Sequence, residues 1–197
     1  LFIVLPVAPW VFGACASAYA IIPALMSDEV SGAPIAFAGL CCLLGLSAGF
    51  GIQLVGRRIN RPGTVRGAGI ALILVAAGMG LAMLTASTLS IPIALVAAAV
   101  LGCGYGMAVL SGLLEVQRLT TSDNLAGLTA VFYSATYLGF AMPMVLAFIS
   151  EKWPSVTYPM MFGVGLVAAL TCLIVIVTAH RLNPAGVSAD DRAPAAE

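Results

Sequence analysis

The chain has 197 residues, of which 61% are hydrophobic and 8% are charged, and its formal net charge is zero. A soluble domain carries about 25% charged residues, so the composition excludes an ordinary soluble protein, as does the mean hydropathy of +1.10. The balanced charge does not suggest a nucleic-acid partner, and we expect none. Inside a bilayer only a helical bundle or a closed barrel satisfies the backbone. Because the apolar runs are continuous rather than alternating, we predict an all-α integral membrane protein whose first partner is the lipid bilayer.

Six apolar segments are long enough to cross a bilayer, which takes about 20 residues at a rise of about 1.5 Å each. They cover residues 1–26, 34–55, 67–87, 91–114, 125–149 and 158–179. The polar tail, residues 183–197, is expected to be disordered. The chain begins at Leu1 within an apolar run, without the charged segment or cleavage site of a signal peptide, so we expect a fragment of a longer protein.

The connection between the second and third segments sets the predicted orientation. It carries four of the basic residues, Arg57, Arg58, Arg61 and Arg66. Short arginine-rich loops stay in the cytoplasm because guanidinium groups are costly to move across a bilayer. With this loop inside, seven of the eight basic residues are cytoplasmic, and Lys152 alone is outside. We therefore predict a multi-pass protein of the cell membrane (a bacterial inner or plasma membrane), with both termini of the segment cytoplasmic.

The five cysteines fall within apolar runs, without a Cys-x-x-Cys pair or a neighbouring histidine. Free cysteine packs readily as a small hydrophobic residue, so we expect no metal site and no cofactor. A single lysine against seven arginines, with abundant alanine and glycine, is typical of a bacterial protein from a GC-rich genome.

Small residues recur at the spacing of helix contacts, in Gly45-x-x-x-Gly49 and Gly102-x-x-x-Gly106. Glycines at this spacing let two backbones approach closely, so we predict tight packing of neighbouring helices.

Proline is expected to break two of the spans. Pro143 lacks a backbone donor and would crowd the carbonyl of Gly139, so a kink is predicted there. Pro23 is expected to weaken the outer end of the first span in the same way.

The end of the second span resembles the Gly-x-x-x-Asp-Arg-x-Gly-Arg-Arg motif of the major facilitator superfamily of transporters. It reads Gly49-Phe50-Gly51-Ile52-Gln53-Leu54-Val55-Gly56-Arg57-Arg58. Gly49, Gly56, Arg57 and Arg58 match the motif, whereas Gln53 replaces its Asp and Leu54 its first Arg. The resemblance implies a conformational latch reduced to hydrogen bonding from Gln53. Such a weakened copy suits the C-terminal six-helix half of a twelve-helix bundle, whose missing partner would be the N-terminal half.

The resemblance also implies a function and a site. It implies secondary active transport of a small solute by alternating access, for example efflux, and no enzymatic activity. The first, second, fourth and fifth spans would face the cavity, and the third and sixth would face lipid. No charged residue lies in the middle of a span, which favours a neutral or amphiphilic solute. The aromatic residues that we expect at the cavity are Trp10, Tyr105, Tyr133, Tyr137 and Phe140.

The fifth span carries the sharpest pattern of these. Tyr133, Tyr137, Phe140 and Met144 fall on one face of a helix. The alternative is that this face merely packs against a neighbouring helix, although a buried phenolic hydroxyl needs a polar partner.

Other functions remain open. Gly45-Leu46-Ser47-Ala48-Gly49 fits Gly-x-Ser-x-Gly, and with His180 it suggests a rhomboid-like intramembrane protease. Ser47 lies deep in the membrane and His180 at its rim, which disfavours that reading. Glu115 is expected to pair with Arg118 rather than to act in coupling. The further alternatives are a pore, although the sequence has no filter-like repeat, and a structural or accessory membrane protein.

Overall fold

The computed structural model describes residues 4–30, 32–60, 64–120 and 124–182, and within these ranges it contains helices and turns but no strand. Six helices are long and apolar enough to cross a membrane: Leu5–Leu25, Pro34–Ile59, Arg66–Thr88, Ile91–Leu119, Leu125–Lys152 and Tyr158–Leu182. We call them the first to sixth spans. They confirm the predicted all-α class and the six segments. Arg61 of the arginine loop and the tail 183–197 lie outside the described residues.

The second and fourth spans extend beyond the apolar segments that predicted them. The second ends at Ile59 with Arg57 and Arg58 in its last turn, so the start of the expected arginine loop is helical. Cations in the last turn interact favourably with the negative end of the helix dipole. The five described arginines therefore lie at helix ends on one side of the bundle, and Lys152 lies at the end of the fifth span on the other side.

The fourth span is the hub of the bundle, because it packs against the first, second, third and fifth spans. Its glycines point to different neighbours. Gly102 and Gly106 face the second span, Gly104 faces Val75 of the third, and Gly112 faces Phe132 of the fifth. Glycines spread around one helix let several neighbours approach it at once.

The two predicted glycine pairs pack against each other. A Cβ on Gly102 would overlap the Gly45 carbonyl oxygen, and a Cβ on Gly106 would overlap that of Gly49. The prediction of tight helix packing is therefore confirmed. A second close approach joins the first and fifth spans, where a Cβ on Gly139 would overlap the backbone of Pro9 and Gly13.

The expectation that the third span faces outward is wrong. In the most apolar stretch of the third span, 56% of the residues are buried within the bundle. The corresponding share is 22% for the second span and 22% for the sixth. The small residues of the third span, among them Ala71, Gly78 and Ala82, let it lie closely against the fourth and sixth spans. The sixth span is as exposed within this bundle as the second.

Both predicted breaks are present. The first span runs as an α-helix over Val4–Ala16, a π-helical turn over Ser17–Ile21 and a short helix over Ile22–Leu25 that contains Pro23. The fifth span is α-helical over Leu125–Tyr137 and Ala141–Lys152, with a 3₁₀ turn between them at Leu138–Phe140. Each irregular turn comes just before a proline, which removes the donor that a continuous α-helix needs.

The third and fourth spans form a tight hairpin. Only Leu89 and Ser90 separate them, and Leu89 adopts φ 51°, the left-handed conformation that commonly ends a helix. The Leu89 amide donates to the Thr85 carbonyl at 2.7 Å. This turn fixes the two spans as antiparallel neighbours.

Candidate functional site

An aromatic cluster lies where the first span meets the break of the fifth. Phe12 stacks on Phe140 with ring centroids 4.3 Å apart, and it lies 5.3 Å from the ring of Tyr137. Tyr137 is 59% exposed and Phe140 43% exposed. The cluster is therefore packed on one side and open on the other.

The sequence pattern on the fifth span identified part of this cluster. Tyr137 and Phe140 were predicted to share a face, and they do, with ring centroids 6.0 Å apart. Phe12 was not predicted, because nothing in its own span marks it among the surrounding apolar residues. Tyr133 and Met144 are also exposed on the fifth span.

Trp10 lies elsewhere. It is 6% exposed and lines a cavity of about 260 Å³ between the first and fifth spans, together with Pro9, Gly139 and Met142. The lining of this cavity is almost wholly apolar. The structure thus brings Trp10 to the fifth span but separates it from the aromatic cluster.

Tyrosines of three spans lie near one another. Tyr19 and Cys15 lie one helical turn apart on the first span, and their side chains are neighbours. Tyr105 of the fourth span lies in the same region as Tyr19 and as Tyr133 of the fifth span. These phenols therefore give the interior of the spans polar groups that carry no charge.

Short polar side chains in the spans are satisfied locally. The buried Ser17 hydroxyl donates to the Gly13 carbonyl at 2.8 Å, and the Thr136 hydroxyl donates to the Tyr133 carbonyl at 2.7 Å. Among the described residues no buried side-chain nitrogen or oxygen lacks a hydrogen-bond partner. The hydroxyls of Ser17 and Thr136 are therefore engaged by backbone carbonyls of the preceding turn.

The residues that resemble the transporter motif have two different surroundings: some pack against the fourth span and others line a cavity. Gly49 and Gly56 contact the fourth span, where a Cβ on Gly56 would lie 2.6 Å from Met107 Sδ. Gln53 and Arg57 instead line a cavity of about 570 Å³ between the ends of the second and fourth spans. No hydrogen bond joins Gln53 to another residue in the part of the chain that the structure describes, so the expected bond from Gln53 is not formed in this conformation.

Glu115 and Arg118 form the predicted ion pair. Arg118 donates to both carboxylate oxygens of Glu115, over 2.7 and 3.0 Å. The two residues lie one turn apart at the end of the fourth span. This carboxylate is therefore engaged by its neighbour, outside the apolar part of the bundle.

Ser47 and His180 do not form a catalytic pair by position. Ser47 is exposed on the second span, twelve residues before its end at Ile59, which corresponds to about 18 Å along the helix. His180 lies in the last turn of the sixth span. The two spans are not packed neighbours, so the geometry gives Ser47 no base at hydrogen-bond distance.

The described residues contain no group of three or more His, Cys, Asp and Glu that could hold a metal ion. The site is thus built from aromatic rings, phenols and helix breaks. Comparisons with models of protein families, with curated proteins and with solved structures find no match to this chain.

Proposed function

We propose that the chain is a six-helix half of a secondary transporter of the major facilitator type, and that it carries a small neutral or amphiphilic solute by alternating access. The observation that carries the proposal is the pairing of the spans. The first packs against the fourth and fifth, the second against the fourth, and the third against the fourth and sixth.

This pairing has the pattern of an internal repeat of three helices. In such a repeat, the first span corresponds to the fourth, the second to the fifth and the third to the sixth. The contact between the second and fourth spans then corresponds to the contact between the fifth and first spans. The third–sixth and first–fourth pairs map onto themselves, and the third–fourth pair has a weaker counterpart in the first and sixth spans. The glycine crossings correspond too, since Gly102 meets Gly45 and Gly13 meets Gly139. Halves built from two inverted repeats of three helices are typical of this transporter class.

The chemistry of the aromatic cluster supports the solute class. Phe12, Tyr137 and Phe140 offer apolar ring surface with one hydroxyl, and all the ionisable groups of the spans apart from thiols and phenols lie near helix ends. Solutes without a formal charge avoid the cost of an unpaired ion at membrane depth. The 3₁₀ turn beside the cluster supplies a place where the fifth span can bend.

Exposure of the second and fifth spans supports a second six-helix bundle as partner. In the most apolar stretch of each span, only 22% of the residues of the second span and 17% of those of the fifth are buried within this chain. A midplane solute site between two halves needs such open faces. The arginine-rich helix ends support a cytoplasmic placement of that side, in a bacterial inner or plasma membrane.

The proposal is tested by measuring whether the aromatic cluster faces water. In the intact protein lacking its native cysteines, Tyr137→Cys and Phe140→Cys are treated with a charged, water-soluble thiol reagent. We expect both to react, because a solute cavity is hydrated and a thiol in lipid does not form the reactive thiolate. Val167→Cys is the matched control, since Val167 is 63% exposed on the outer, sixth span and is expected to stay unreactive.

Equal protection of all three positions would place the aromatic cluster in lipid and end the transporter assignment. Reaction that rises and falls with an added transported solute would identify the same surface as the site of binding.

A further inference from the structure

The cavity of about 570 Å³ between the second and fourth spans has two unlike walls. The second span contributes Gln53, Arg57 and Asn60, which the spacing of four and three residues places on one helix face. The fourth span contributes a mainly apolar wall, made of Val109, Leu110, Leu113 and Leu114 with one polar residue, Gln117. The volume falls within the range of sites for small molecules, roughly 300–1,000 Å³. A polar stripe that faces leucines is an arrangement that calls for an amphiphilic occupant.

The cavity lies at the arginine-rich end of the bundle. Its lining on the second span runs from Gln53 to Asn60, the last turns of that span and its C-cap residue. Arg57 is exposed in the last turn of the second span. The polar wall therefore lies near the depth of lipid headgroups, and the leucines lie beside it.

Arg57 has no acidic partner among the described residues. The carboxylate of Glu115 is engaged by Arg118 through both oxygens, and theirs is the sole ion pair within the described ranges. Gln53, beside Arg57 in the cavity, adds an amide that donates and accepts hydrogen bonds. Guanidinium groups bind phosphate by charge-assisted hydrogen bonds, and amides complete such a shell.

We propose that this cavity binds an anionic phospholipid of the cytoplasmic leaflet. The phosphate lies against Arg57 and the amides of Gln53 and Asn60, and an acyl chain follows Leu110, Leu113 and Leu114. Anionic lipids are attracted to basic pockets between transmembrane helices on the cytoplasmic side. The assignment depends on membrane insertion with the arginine-rich side in the cytoplasm, and transport activity does not enter it.

The test is lipid binding by the purified protein in a neutral detergent, measured by native mass spectrometry. Phosphatidylglycerol, phosphatidylcholine and inorganic phosphate are compared. We expect one saturable phosphatidylglycerol per chain, with weaker phosphatidylcholine binding and no displacement by inorganic phosphate. Arg57→Gln should weaken phosphatidylglycerol binding about fivefold, which corresponds to about 1 kcal/mol for one arginine at an anionic surface. Arg181→Gln, at an exposed arginine on the same side, should leave it unchanged.

A second variant separates the cavity from the charge. Leu114→Trp fills the apolar wall without changing any charge, and it should also weaken binding. Arg57→Lys should retain part of the affinity, and circular dichroism checks that each variant keeps its helices. If Arg57→Gln and Arg181→Gln lost equal amounts of phosphatidylglycerol affinity, the lipid would be held by diffuse electrostatic attraction, and the proposed site would be overturned. Displacement by inorganic phosphate would assign it to a soluble anion, and full binding by Leu114→Trp would show that the cavity is not used.

Discussion

Gly102 is the residue whose replacement most directly tests the packing of the bundle. A side chain there would meet the backbone of Gly45, which cannot move aside as a flexible side chain can. We expect Gly102→Ala to lower the free energy of unfolding by about 1–3 kcal/mol, the usual cost of overpacking. The measurement is unfolding in a mixed detergent and denaturing-surfactant titration, followed by circular dichroism.

Gly51→Ala is the matched control for this change. Gly51 lies in the second span, and a Cβ there would have nothing within 4 Å. Alanine favours the helix over glycine by about 1 kcal/mol, so we expect this variant to be unchanged or slightly more stable. If the two variants had the same stability, the second and fourth spans would not be in backbone contact.

At the level of single residues, the sequence was informative where one chemical property decides the outcome. The spacing of Tyr137 and Phe140 placed them on one face, and Glu115 and Arg118 paired as their spacing and charge require. Phe12 could not be found in this way, because its position beside Phe140 depends on how two helices far apart in sequence cross. Gly13 and Gly139 together set that crossing, and neither glycine indicates in the sequence which helix it will contact.

Among the elements, the broken fifth span makes the clearest prediction. Pro143 leaves the Gly139 carbonyl without its usual donor, and the 3₁₀ turn Leu138–Phe140 results. Pro143→Ala supplies the missing amide, so we expect slower amide hydrogen exchange at 138–143, by about tenfold or more for one restored backbone hydrogen bond. Hydrogen exchange with mass spectrometry of the intact protein measures this.

The control for the proline effect is Pro92→Ala. Pro92 occupies the first turn of the fourth span, where no intrahelical donor is needed. Its replacement should leave exchange in the fifth span unchanged. Unaltered exchange in Pro143→Ala as well would mean that helix packing, and not proline, creates the break.

Span positions were predictable because one rule decides them. Continuous apolar length sets where a helix can lie in lipid, and proline sets where it breaks. The ends were less predictable, since the second span continues through Arg57 and Arg58 to Ile59. The third span was misplaced for a different reason: its alanines and glycines look the same whether they face lipid or a neighbouring helix, and only the packing distinguishes the two.

For the molecule as a whole, the charge distribution predicts the orientation in the membrane. We expect Asn124, before the fifth span, to be cytoplasmic and Lys152, at its end, to be outside. Single cysteines at these positions, in a background without the native cysteines, are treated with an impermeant thiol reagent in sealed cells. The Lys152→Cys protein should label at once, and the Asn124→Cys protein only after permeabilisation.

The reverse labelling pattern would show the opposite orientation, and the proposed lipid site between the second and fourth spans would then face the outer leaflet. Lys152 itself lies 5.6 Å from the ring centroid of Phe148 and 5.7 Å from that of Trp153. Aromatic rings and a lysine at one helix end are typical of a membrane boundary, so we expect these residues to anchor this end of the fifth span.

The hub position of the fourth span also bears on how the protein is made. The glycines of the second span close on Gly102 and Gly106, residues that a ribosome adds only after the whole third span. The third and fourth spans then arrive as a hairpin through the turn at Leu89 and Ser90. In a nascent chain that stops before this hairpin is complete, the second span has no fourth span to pack against. Gly45 and Gly49 then lack their contacts with Gly102 and Gly106. The packing of the bundle therefore cannot be completed until its central helix has been made.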